Sequence, residues 1–366
     1  VRGENPFTFP YRIWPSIARN PDSLVSLASG KTWRYPPQQI DGEAIVDPIE
    51  LLDLVLVPVG SYQNEGYQAI ISAIKRSALE GVKRGLSYTV LDPPLQALNM
   101  VFPHEKVDAK GSRKSLYGAR GLARTMLFDP KTKSGFRYKD STLTKYGRIF
   151  SPEELGKYSS KIQYICKAVT RARGIAIVYS QFIDGGAVPI ALALEELGFR
   201  KHGGVSLFRE PPVALGADAP TYAMITGDRN LTPDVKEIMK AVTNTGNTNG
   251  EQVKVVIVSR AGSEGLDFRN IRQMHILDPW YNLNRQEQII GRAVRNLSHC
   301  ALPYAERNVE IFLYGTRLPG DDVEAADLYV YRLAERKARK IGRVSRILKE
   351  NAVDCLLNRR ALDFSQ

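Results

Sequence analysis

Between residues 174 and 315 short runs of aliphatic and β-branched residues alternate with stretches whose apolar positions recur every three to four residues. The first run, "GIAIVYS" (174–180), reads as a buried strand, and "VPIALALEELGF" (188–199) reads as a helix closed by Gly198. A second strand is predicted at "YAMITGD" (222–228). "TPDVKEIMKAV" (232–242) follows as a helix, with Thr232 as N-cap and Pro233 in the first helical position. The polar stretch 243–251 reads as a loop; "VKVVIVS" (253–259), "MHIL" (274–277) and "VEIFLY" (309–314) read as further strands. Strand and helix in this alternation predict an α/β fold, a parallel sheet with helices on both faces. Ligands of such sheets bind at the carboxyl ends of the strands, where "YSQF", "TGD" and "SRAGSEGLDF" fall.

Outside that region the pattern changes. Residues 49–75 predict a strand and then a helix carrying Gln63 and Tyr67 four apart, suited either to a functional role or to plain packing. From 104 to 150 periodicity is lost, and twelve Lys/Arg face four Asp/Glu. That composition predicts a solvated, loosely structured insertion, or a basic arm beside a groove with Arg120 and Arg124 as anchors. A long amphipathic helix is expected from Tyr331 to Cys355. Its apolar stripe would run from Ala334 through Ile341 and Val344 to Cys355, with Arg332, Arg336, Arg339, Arg343 and Arg346 on the other faces. The domain limits are thus expected at 1–50, 51–150, 151–320 and 321–366.

Charge narrows the partners. Lys plus Arg exceed Asp plus Glu by 51 to 39, giving +12 over 366 residues, which favours an anionic partner such as nucleic acid. Three scattered cysteines, Cys166, Cys300 and Cys355, argue against a disulfide framework and fit a reducing compartment. His299 beside Cys300 lacks further ligands at metal spacing, so no metal site is expected within this chain. No apolar run reaches the length of a membrane span, and no membrane partner is expected.

The chemistry gathers in "NRQEQIIGRAVR" (284–295). Helical spacing would put Gln288, Gly291, Arg292 and Arg295 on one face, suited to a polyphosphate. An exposed face making surface ion pairs is the plain alternative. Three other segments weigh against it: IVYSQF, ITGD and SRAGSEGLDF, followed in order by QIIGRAVR itself, resemble motifs IV, IVa, V and VI of superfamily 2 helicases. The stretch "ILDPWYNLNRQEQIIGR" resembles the approach to motif VI in the Snf2-like branch. "VRGENPFTFPYRIWP", "LQALNMVFP", "YSQFIDGGAVPIALALEELGF" and "RNVEIFLYGT" resemble the helicase-like ATPases of nucleocytoplasmic large DNA viruses. That group includes the poxvirus-type early transcription factor small subunit and nucleoside triphosphatase I proteins.

The resemblance implies a RecA-like lobe, the second of two that hold ATP between them. It implies Arg292 and Arg295 as arginines neutralising the transferring phosphoryl group, supported by Gln288. By the same likeness Asp267 would approach the ribose or hold a motif VI arginine, and Gly265 would let backbone come close. Ser180 and Gln181, Thr226 and Gly227, and Ser259 and Arg260 would hold nucleic-acid phosphates without reading bases. ATP and Mg2+ are the implied cofactors, with the metal ligands in an upstream lobe. "LASGKTW" ends in Gly30-Lys31-Thr32, but Val25 stands where a phosphate loop needs glycine, so these residues are read as a turn. The chain is therefore expected to hold half an ATP site, beginning just after the lobe-one motifs.

The implied partners are DNA more than RNA, that upstream lobe and viral transcription machinery; the implied location is the host-cytoplasmic virus factory and the virion. The rival expectation is a non-enzymatic lobe kept as a nucleic-acid-binding or docking subunit. A phosphate loop and acidic box encoded upstream would discriminate against that rival. A standalone RNA-binding protein is a third reading, disfavoured because no RNP-type aromatic motif appears.

Overall fold

The computed structural model describes residues 9–14, 35–79, 86–107, 113–203, 205–263 and 265–353. Gly30-Lys31-Thr32 and Cys355 lie outside the described residues. Ten strands are present among the described residues: β1 (Tyr11–Ile13), β2 (Val55–Pro58), β3 (Met126–Asp129), β4 (Ser134–Tyr138), β5 (Ile175–Ser180), β6 (Arg200–Lys201), β7 (Thr221–Ile225), β8 (Val255–Ser259), β9 (Ile271–Ile276) and β10 (Asn308–Arg317). Eight of them form one sheet in the order β1-β10-β9-β5-β8-β7-β6, and β2 also pairs with β10. Every pairing in this sheet is parallel. β3 and β4 form a separate antiparallel hairpin.

The central strands are apolar on both faces because both faces are covered. Every residue of β5 and of β8 is buried. On one side Ile177, Val256 and Ile311 pack with Leu54, Leu95 and Tyr331; on the other Val178, Ile257 and Phe312 pack with Val57, Ile162 and Leu192. Segments the sequence divides at 50, 150 and 320 share these two layers. From β5 the chain runs through the helix Val188–Glu196 to the edge strand β6, returns through β7 and β8, then crosses β5 to reach β9 and β10. This is the parallel, RecA-like arrangement expected, and the reversal at β5 opens a crevice at the strand ends. β10 is the longest strand. Its first residues pair with β1 and its last, Tyr314–Arg317, with β2.

Four sequence expectations are corrected. The helix predicted from Thr232 begins at Val235, capped by Asp234, whose carboxylate accepts from the N–H groups of Lys236 and Glu237. The Thr232 hydroxyl is committed elsewhere: it accepts from Thr226 N–H and donates to Met224 O. The helix bearing the arginines spans Leu283–Ala293, so Arg295 lies beyond its end. There Ser298 Oγ donates to the Arg295 carbonyl at 2.8 Å, and Leu297 takes a positive φ of 60°, turning the chain away. From residue 113 onward the basic insertion is folded, carrying the hairpin and the helices Gly118–Thr125 and Asp140–Tyr146. The terminal helix starts at Ala326, and Arg332, expected on an open face, is buried against Glu324 at 2.7 Å.

Gln63 and Tyr67 serve packing. Gln63 Nε2 donates to the carbonyls of Ala97 and Leu98, and its Oε1 accepts from Ser160 N–H. Tyr67 Oη accepts from Ala326 N–H, joining the helix Ser61–Leu79 to the start of the terminal helix.

Candidate nucleotide and nucleic-acid interface

The two arginines converge on the loop after β8 although only one of them is helical. Arg292 Nη1 donates to Leu266 O at 3.2 Å, and Arg295 Nη1 stands 2.6 Å from Asp267 Oδ1. Gly265, at φ +72°, supplies the left-handed turn that leads into Leu266 and Asp267. Arg295 keeps 43% of its side chain exposed. An exposed ion pair of this kind adds little stability; its effect is to fix the direction of a guanidinium that still has donors to offer. Gln288 is exposed on the preceding turn and lines the groove facing Lys337 and Ala338 of the terminal helix, instead of joining the arginines.

The strand-end residues gather at one level of the sheet. Register sets Ser180 opposite Ser259 and Ile225 opposite Val258, which brings Thr226 beside Ser259. Gly227 sits against Ala261, so the loops after β7 and β8 touch. Thr226 is buried and knits its own loop, its hydroxyl contacting Asp228 and Thr232. Ser259 Oγ is buried and has no hydrogen-bond partner among the described residues. Arg260 is exposed, its guanidinium carbon 4.7 Å from the Trp280 ring centre; Arg285 approaches the same ring at 5.6 Å.

Beneath the loops lies a buried anchor that the motif reading passed over. Asp278, just past β9, accepts from Ser180 Oγ at 2.5 Å, Asn99 Nδ2 at 2.9 Å and Gln181 N–H at 2.9 Å. Gln181 Nε2 also donates to Pro279 O at 3.0 Å. Ser180 therefore acts here as a strut that holds the loop of Gln181, with its hydroxyl turned to Asp278 and away from solvent. Burial pushes the Asp278 carboxyl above its ordinary value, and the hydrogen bonds and the nearby Lys161 pull it back. Lys161 donates to Leu277 O and to Asp327 Oδ2, both at 3.1 Å. Asp327 in turn accepts from Thr316 Oγ1 at 2.6 Å, tying the terminal helix to β10. The sequence signal for this anchor was an Asp directly after an apolar run, in "HILDPW".

Among the described residues no group of three or more His, Cys, Asp or Glu side chains is placed to hold a metal ion. Among the same residues no helix is long and apolar enough to cross a membrane.

Residues 220–297 match the family described as the helicase conserved C-terminal domain. Over 308 residues the chain is 28% identical to Putative helicase 087L of Invertebrate iridescent virus 3, covering 83% of this chain and 28% of that protein. It is 29% identical over 264 residues to Putative ATP-dependent RNA helicase R563 of Acanthamoeba polyphaga mimivirus, covering 72% and 39%. It is 28% identical over 180 residues to the Termination factor NPH-I homolog of African swine fever virus, covering 43% and 26%. The chain thus spans well under half the length of these curated relatives. Within the chain the match takes in β7, β8, β9 and the helix that bears Arg292. The chain's likeness is to the C-terminal part of the superfamily 2 helicases of large DNA viruses.

Proposed function

We propose that this chain is the second lobe of an ATP-dependent superfamily 2 motor that moves on nucleic acid, duplex DNA being its track, in viral transcription. The observation that carries the reading is the convergence of Arg292 and Arg295 on the loop of Leu266 and Asp267 at the ligand-binding edge of the sheet. Arg295 is fixed in direction by Asp267 yet open to solvent, which fits an anionic triphosphate presented from a facing lobe. Both arginines would neutralise charge gathering on the terminal phosphate as it is transferred, and Gly265 lets that loop turn toward the nucleotide. Magnesium would come with ATP, its protein ligands lying on the facing lobe. Gln181, Gly227, Arg260 and the backbone around Ser259 and Thr226 would hold phosphates of the track, with Ser180 positioning Gln181. A relative named as a termination factor supports the transcription role, and one named as an RNA helicase keeps RNA as the alternative track.

The test is ATP turnover by the full-length parent protein with duplex DNA, with RNA and with neither. Arg295→Ala should cut stimulated turnover by roughly a thousandfold or more. The chain by itself should hydrolyse ATP negligibly; turnover by the isolated chain that Arg295→Ala abolishes would overturn the two-lobe reading. Absent turnover with salt-sensitive nucleic-acid binding intact would instead favour a docking subunit.

A further inference from the structure

The basic insertion is fastened to the strand-end loops at two places. At the hairpin turn Lys133, held at φ +48°, sends Nζ between two carboxylates, 3.0 Å from Asp184 and 3.4 Å from Asp228. Asp184 follows β5 and Asp228 follows β7, so one lysine clasps both loops. Beside it Asn230 Nδ2 donates to Lys131 O at 2.8 Å. At the second place Gln96 wedges between Gly118 and Gly185. A Cβ on either glycine would stand 2.5 or 2.6 Å from Gln96 Oε1, so the Gln96 side chain holds this position against two residues without a Cβ.

Between the two fastenings is an open cleft of about 590 Å³, lined among others by Gln96, Lys114, Tyr117, Arg120, Lys133 and Gln181. Among the described residues three cations line it against one carboxylate, Asp184. Lys133 is already committed to carboxylates. Lys114 and Arg120 are exposed and form no ion pair among the described residues. Gln181 belongs both to this cleft and to the strand-end edge, so the two surfaces are continuous.

We propose that this cleft is a second anchoring point for the sugar–phosphate backbone of a nucleic acid, with Lys114 and Arg120 each holding a phosphate of a strand that continues across Gln181. An extended polyanion fits better than a small one, because the cleft is open and runs into the strand-end edge. Lys and Arg at such a wall hold phosphates without reading sequence. The proposal rests on the reading of the strand-end edge as a nucleic-acid track and extends that track by one wall.

The experiment measures binding of fluorescent duplex DNA and of single-stranded DNA and RNA oligonucleotides to the full-length protein by anisotropy across a salt series. Lys114→Gln/Arg120→Gln should weaken binding roughly ten- to a hundredfold at 0.1 M salt and lower the salt slope by about two. Both side chains are exposed, so the core is untouched. Lys167→Gln/Arg171→Gln removes the same charge on the helix Ser160–Arg171, which leads into the opposite end of β5, and should leave the slope unchanged. If the cleft variant matches this control while Arg260→Gln weakens binding, the cleft falls and the strand-end track stands. No oligonucleotide binding by the unaltered protein would sink both. A cleft variant that keeps oligonucleotide affinity but loses inorganic phosphate binding by calorimetry would make the cleft a small-anion site and overturn the proposal.

Discussion

His275 lies wholly inside the sheet, stacked 4.4 Å from the Phe312 ring. Its Nδ1 meets Tyr314 Oη at 2.7 Å and its Nε2 meets Gln273 Oε1 at 3.1 Å. Burial lowers its pKa from 6.5 to about 3, so the native imidazole stays neutral where an unfolded chain would take up a proton. The stability it contributes is therefore complete above pH 6.5 and is lost as pH falls from 6.5 toward 3. Over that window unfolding should bind up to one extra proton, a slope approaching about 1.4 kcal/mol per pH unit. Urea unfolding at several pH values should give a shallower pH dependence for His275→Gln than for the unaltered protein; equal slopes would refute this assignment. The arginines show why single residues are hard to read from pattern. Helical spacing places Arg292 on the helix but misplaces Arg295, because the helix ends where Ser298 captures the Arg295 carbonyl. What brings Arg295 back is Asp267, twenty-eight positions earlier, which no local spacing reports.

At the scale of elements, legibility followed burial. β5 and β8 were plain because both faces are covered and every residue is apolar or small. β1 and β6, three and two residues long, carry too little pattern to register. The hairpin β3–β4 was hidden by the charges around it, since only Met126 and Phe136 of its residues are buried. The buried polar links between elements were invisible for another reason: their partners are far apart in sequence. Lys161 and Asp327, on the helix Ser160–Arg171 and the terminal helix, are 2% and 0% exposed and 3.1 Å apart. Lys161→Met should cost roughly 3–5 kcal/mol by leaving a buried carboxylate without its charge partner. Pairing it with Asp327→Asn should recover part of that loss; equilibrium denaturation of both variants checks it, and additive losses would refute the coupling.

For the whole molecule, the strand-end loops were legible as a set of ordered motifs, while the basic insertion's place beside them was not. Twelve cations in a span without periodicity suggest a loose arm; Lys133 between Asp184 and Asp228 fixes its hairpin as a wall. The sharing of β10 between β1 and β2 carries a practical consequence. A fragment cut at residue 151 to isolate the lobe would strip both short strands from a ten-residue strand buried along nearly all its length. That leaves a bare, apolar sheet edge, the template on which chains zip together. Residues 151–353 expressed alone should therefore self-associate in light scattering where the intact chain does not, and a monodisperse fragment would refute this. In effect the residues ahead of the lobe act as its built-in chaperone, filling the seat that another molecule's strand would otherwise take.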